Sequence, residues 1–145
     1  MLVTNHVLSG ALVGGVVRRP LAAFGIGVAS HFALDMVPHW GDWGNKRRFL
    51  RVAVPDGLAG LGAIAVFTAV SPPDRRLAVM AGMAGAALPD IDKPSRLWCG
   101  RSPWPAAVDR FHGRIQREAR GRAHRELATA VAFAAAALVL LRPPR

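Results

Sequence analysis

The fold turns on one stretch, "SHFALDMVPHW", residues 30–40. Phe32, Ala33, Leu34, Met36 and Val37 are apolar, as in a membrane helix. Yet His31, Asp35 and His39 recur at every fourth position. His31 and Asp35 share one helix face, about 6 Å apart along the axis. His39 would continue the stripe, but Pro38 disturbs the turn before it. Ionisable groups in an apolar helix cost about 2.5–3.5 kcal/mol each on membrane-insertion scales, so they face a cavity or a partner.

The surrounding sequence is apolar throughout. The 145 residues suit one domain, 1–145. Hydrophobic residues make up 52% and charged residues 19%, a balance that points to a membrane protein. Five apolar segments stand out, at 4–17, 21–37, 50–70, 77–91 and 127–141. Arg18-Arg19-Pro20, Pro38, Ser71-Pro72-Pro73 and Arg142-Pro143-Pro144 punctuate them, as at helix ends. Spanning takes about 20 apolar residues, with roughly 17 as the lower limit. The second and third segments are long enough; the first, fourth and fifth are marginal. Their Ala and Gly content favours close helix packing. The expected fold is all-α, an integral membrane bundle of four to five helices with a basic cytoplasmic loop at 93–125. Within that loop Trp104, Val108, Phe111 and Ile115 fall at helical spacing. They predict a short amphipathic helix, lying on the membrane surface or capping the helix ends.

Charge fixes the expected orientation. The chain has 19 Lys+Arg against 9 Asp+Glu, a formal charge of +10. If all five segments span, the loops after the second and fourth carry thirteen Lys and Arg, against six on the opposite side. The positive-inside rule then puts the N-terminus and both basic loops in the cytoplasm. The expectation is a multi-pass protein of the cytoplasmic (inner) membrane, with membrane lipids as partners. Its charge needs no nucleic acid. Trp40, Trp43, Trp98 and Trp104 all fall on the cytoplasmic side, as interfacial anchors do. Cys99 is the only cysteine, so no intrachain disulfide forms. The excess of Arg over Lys, with much Ala, Gly and Pro, reads as a GC-rich bacterial composition.

On this topology the ionisable residues converge. His6, His31, Asp35, Asp56, Asp90 and Asp92 all come to the cytoplasmic end. The other end offers Asp74 and its arginines. Imidazole with carboxylate suits Zn²⁺, Mn²⁺ or Fe²⁺. "ALPDIDKP" (87–94) adds Asp90 and Asp92 at a helix end. His6, His31, Asp35 and Asp90 are therefore the candidate metal ligands, with Asp92 and Asp56 as candidate catalytic carboxylates. A bound divalent metal would lower the pKa of its water, and a spare carboxylate would take a proton. Each residue also has a plainer role. His31 and Asp35 suit an interhelical hydrogen-bonded pair, and Asp56, after Pro55, suits the acid of a helix N-terminus. His39 and Asp42 read as loop residues, His124 as solvated, and His112 is open between site and surface. "GVASHFALD" (27–35) also aligns faintly with "GMAGAALPD" (82–90), an internal repeat if not chance.

"NHVLSGAL", "SHFALDMVPHWGD" and "LPDIDKP" together resemble the membrane-bound metal-dependent hydrolase family, of the LexA-regulated inner-membrane type, distantly similar to zinc-dependent phospholipase C proteins. The resemblance covers scattered positions over the first two-thirds of the chain, and carries over His6, His31, Asp35, Asp90 and Asp92. It departs from the family where a His-Arg-Gly…Thr-His-Ser motif is absent and only "FHGRIQRE" around His112 stands near it. The Ser-His…Asp motif precedes Leu-Pro-Asp instead of following it, and Lys93 stands where the family often has His. The resemblance implies a metal-dependent hydrolase at the cytoplasmic face, and the basic loop suits an anionic lipid or other phosphate-containing substrate. The alternative is a non-catalytic membrane protein whose buried His/Asp network fixes the bundle and binds lipid or a partner.

Overall fold

The computed structural model describes residues 1–42 and 44–142. Trp43 and Arg145, used above as an anchor and in the charge count, lie outside them, as do Pro143 and Pro144. The described residues are helical, with no β-strand. In chain order the helices are α1 (Val3–Val17), α2 (Pro20–Asp35), α3 (Lys46–Val70), α4 (Pro73–Ala87), α5 (Asp92–Cys99), α6 (Ala106–Ile115) and α7 (Ala123–Leu140). A 3-10 turn, Leu88–Ile91, joins α4 to α5.

The breaks follow local chemistry. Proline opens α2 and α4, where its missing N–H costs nothing. Arg18 ends α1 in the left-handed region at φ 57°. Asn45 caps α3, its Oδ1 accepting from the Arg48 amide at 3.0 Å. Arg75 donates to the Leu140 carbonyl at 3.2 Å and so finishes α7.

The structure redistributes the long helices. The second segment was expected to be long enough to span, but α2 runs only from Pro20 to Asp35, 16 residues. Pro38 and the bends around it take the rest. The marginal fifth segment instead gains the turn 123–126 at its start. Among the described residues, two helical stretches are long and apolar enough to cross a membrane, Lys46–Val70 (α3) and Arg120–Leu140, which ends in α7. The 93–125 loop holds more helix than expected: α6 lies inside it, α5 runs into it from Asp92, and α7 starts within it at Ala123. Val108, Phe111 and Ile115 fall in α6, while Trp104 precedes it.

α1 is the centre of the bundle and packs against α2, α3, α4 and α7. Val7, Leu8 and Ala11 of α1 meet Phe67, Val79, Met83, Ala137 and Leu141 in the apolar core. α4 makes close glycine crossings with both α1 and α2. A Cβ on Gly10 would strike the Gly82 carbonyl, and one on Gly82 would strike the Gly10 carbonyl. Gly27 of α2 approaches the same Gly82 carbonyl. Both halves of the faint repeat thus meet at their leading glycines, where only a residue without a side chain lets the backbones touch.

Burial is distributed unusually. Among the described residues, 13 apolar side chains are buried against 12 polar or charged ones. Meanwhile Leu21, Leu58, Leu61, Leu77, Leu127 and Val131 are exposed, Leu21 at 91%.

Gly82→Val should therefore lower the thermal unfolding midpoint in detergent, by a loss of about 1–3 kcal/mol or more. Gly62, whose Cβ would meet nothing within 4 Å, is the control. Gly62→Ala should be neutral, or stabilising by up to about 1 kcal/mol.

Candidate metal centre

Four segments deliver the buried cluster at one end of the bundle. α1 brings His6, α2 brings His31 and Asp35, the 3-10 turn brings Asp90, and α6 brings His112. Helix periodicity puts His31 and Asp35 on the same inward face of α2. Pro89 sits in the tight turn after α4, and Asp90 is buried beside it.

The distances describe a compact set. His31 Nε2 lies 3.2 Å from Asp35 Oδ2, 3.1 Å from His112 Nε2 and 3.7 Å from Asp90 Oδ1. His112 Nε2 lies 2.9 Å from Asp35 Oδ2 and 3.7 Å from Asp90 Oδ1. One ligand atom from each of these four residues falls within 4.8 Å of the others. Metal bonds of about 2.0–2.2 Å in a tetrahedron put neighbouring ligand atoms roughly 3.3–3.6 Å apart, so this spacing fits one ion.

Tautomer chemistry supports the same fit. His31 Nδ1 lies 2.8 Å from the Ala86 carbonyl, which only accepts, so Nδ1 carries the hydrogen. Nε2 is then left facing two carboxylate oxygens and a second imidazole. A bare lone pair there is repelled by both carboxylates, so the position calls for a cation or a proton. A carbonyl that fixes the far ring nitrogen is the usual support of a metal-bound histidine.

The remaining groups orient this set. His6 Nε2 donates to Asp35 Oδ1 at 3.1 Å, and its ring stacks on His31 at 3.8 Å between centroids. His6 was expected among the ligands; the structure places it beside the four-residue group, holding Asp35. The Met1 amine also lies on Asp35 Oδ1. Gln116 donates to Asp35 Oδ2 at 3.3 Å. Phe32 packs edge-on against both Phe111 and His112, seating α6 on α2. Trp104 Nε1 donates to the Pro89 carbonyl at 3.0 Å and ties the approach to α6 to the Asp90 turn.

Asp90 and Asp92 sit differently. Lys93 Nζ donates to Asp90 Oδ1 at 2.6 Å. Burial alone would raise the Asp90 carboxyl; the Lys93 ammonium and the nearby imidazoles outweigh it and hold it down at about 2. Burial raises the Asp92 carboxyl, against the pull of Lys93. Asp92 Oδ1 is buried without a hydrogen-bond partner, and Oδ2 lies 3.6 Å from Arg96.

Asp56 is engaged elsewhere. Its oxygens accept from the Val3 and Thr4 amides at 2.7 and 3.2 Å, capping the start of α1. The plainer reading of Asp56 as a helix-terminal acid describes this, except that it serves α1 and not its own helix. Asp42 is buried, not a free loop residue, with Arg120 at 2.9 Å and Arg48 at 3.2 Å. His39 is buried too, and its backbone pairs with Arg117 and Ala119. His124 is exposed.

One buried acid escaped the sequence reading. Glu126 accepts from the Leu2 amide, the Asn5 side chain and the Trp40 amide at 3.1, 2.7 and 2.9 Å. It stands one residue before the fifth apolar segment, much as His6 and Asp56 stand near the starts of theirs. That lone acid at the entry to an apolar run was the available signal. No family model, curated protein or solved structure matches the chain.

Glu126→Ala should leave three donors without an acceptor, at about 1–3 kcal/mol for each that stays buried. Glu126→Gln keeps one acceptor oxygen and should lose less. Chemical denaturation midpoints of the two variants, side by side, measure the difference.

Proposed function

We propose that the chain is a membrane-embedded, metal-dependent hydrolase working at the basic end of its bundle, in a cytoplasmic membrane. One observation carries the reading: His31, Asp35, Asp90 and His112 aim ligand atoms at a single buried point. Two carboxylates and two imidazoles neutralise a divalent ion and suit Zn²⁺, Mn²⁺ or Fe²⁺.

The membrane placement rests on the distribution of polarity. Large apolar side chains line the outside of α3 and α7 while acids and histidines fill the inside. In water such surfaces would associate; in lipid they are solvated. The site end carries Lys46, Arg47, Arg48 and Arg51 on α3 and the arginines near α7, as cytoplasmic ends do.

The roles follow from position. His31, Asp35, Asp90 and His112 would hold the ion, with His6 and Gln116 orienting Asp35. A divalent ion held there supplies Lewis acidity and a water acidic enough to attack near neutral pH. Asp92, with one buried oxygen unpaired and its carboxyl raised by burial, is placed to take a proton. Lys93, beside Asp90, is placed to face an anionic oxygen of the substrate.

A second reading has its own observation. Asp35 already accepts from His6, His112 and Gln116, and Asp90 from Lys93. A protonated network would also satisfy the cluster, leaving a structural bundle without catalysis.

Metal analysis separates the two. The hydrolase reading expects about one ion per chain, in a four-residue site. His31→Ala or His112→Ala should abolish stoichiometric loading, and His6→Phe should weaken it by about 10–100-fold. Metal ligands bind only when deprotonated, so affinity should fall as the pH is lowered. No stoichiometric metal under any loading condition leaves the structural reading standing. Fractionation tests the placement: the chain should stay in membranes washed with alkaline carbonate, and recovery in the soluble fraction would sink it.

A further inference from the structure

A cavity of about 740 Å³ opens between α3 and α5. Its size is that of a small-molecule site. Leu50, Val54, Leu58 and Leu61 form the α3 wall, and Leu97 and Trp98 the α5 wall. Val54, Leu58 and Leu61 also belong to the exposed apolar side of α3, so the cavity is continuous with that outer face. Its inner end is different. Asp90, one of the four clustered ligands, lines it, and so does Lys93. Lys46 and Arg96, both exposed, stand on the lining as well. The carboxylate of Asp56, also on the lining, is turned to the α1 amides, and that of Asp90 to Lys93. Glu118, on the lining too, lies 3.9 Å from His39, and Arg96 is held by Asp109 at 2.8 Å. Among the described residues Lys46 is the lining cation without an ion pair, so the cavity's electrostatic demand is for an anion beside Lys46, with a hydrocarbon tail along α3.

We propose that this cavity binds a membrane amphiphile with an anionic headgroup. The molecule enters sideways from the lipid, lays its chain between α3 and α5, and brings its head beside Lys93 and Asp90. That this amphiphile is the substrate rests on the hydrolase reading above; that it binds does not.

The probe is hexadecyl phosphate carrying bromine on its chain, added to the purified full chain in phosphatidylcholine nanodiscs. Bromine quenches tryptophan on contact, so saturable quenching is expected; it should fall in Trp98→Phe and vanish when Trp40, which also lines the cavity, is replaced as well. Ala53→Phe, which narrows the cavity, and Lys46→Glu, which reverses a cation on its lining, should each weaken binding by about tenfold or more. Leu127→Phe, on the exposed face of α7, should leave it unchanged. Brominated hexadecanol, or inorganic phosphate as competitor, distinguishes the parts of the ligand. Equal binding of the alcohol, or full competition by millimolar phosphate, would overturn the proposal, as would quenching indifferent to Ala53→Phe. Metal analysis of the unsubstituted chain beside this titration separates the two ideas. Saturable quenching in a chain that takes up no stoichiometric metal would remove the hydrolase and keep the cavity; metal without saturable quenching would do the reverse.

Discussion

A buried carboxylate must be neutralised where it lies, and Asp35 sets that demand for the whole bundle. It is wholly buried on α2, and no single helix can satisfy it. α1 answers with His6, α6 with His112, and the residue just after α6 with Gln116. Helices that would otherwise touch only through apolar residues are thereby fixed in rotation about their axes. A slip of one residue in α1 would turn His6 by about 100° away from Asp35 and bring Asn5 or Val7 toward it instead. The polar cluster thus specifies the packing, whatever it adds to stability, and the close glycine crossings permit it.

Much of this could be read in the residues. The His31–Asp35 stripe has the period of a helix, so its inward face was visible without coordinates. Asp90 could be joined to it because loop charges put the end of α2 and the end of α4 on the same side. The five apolar segments were legible for the same reason, since Pro and Arg mark their ends. What the sequence hid were choices made in three dimensions. His112 lies 77 residues from Asp35, in a loop whose helical period was visible but whose docking was not. Whether α6 lies on lipid or on the bundle depends on Phe32 receiving Phe111, a contact with no local signature. Asp56 looks like a site acid in one dimension, and Glu126 passes unnoticed there. Only the position of the α1 N-terminus shows that they are absorbed by backbone amides.

Helix length was the least legible quantity. The apolar run 21–37 is longer than α2 because its last residues leave the helix before Pro38 to reach Trp40, whose amide Glu126 holds. The run 127–141 is shorter than α7 because Ala123 and the polar His124, Arg125 and Glu126 still follow helical geometry. Hydropathy measures where apolar residues are; hydrogen bonding decides where the helix stops.

The direction of each chain segment has an electrical consequence. α2 and α4 arrive at the cluster with their carbonyl ends, whereas α1 leaves that end of the bundle with its amides. The summed peptide dipoles place partial negative charge where α2 and α4 stop and partial positive charge where α1 starts. Asp56 and Glu126 gather at the amide end of α1, where the dipole favours acids, while Asp35 and Asp90 stand at the carbonyl ends of α2 and α4, where it opposes them. The backbone alone therefore biases the cluster toward a positive guest, before any side chain is counted.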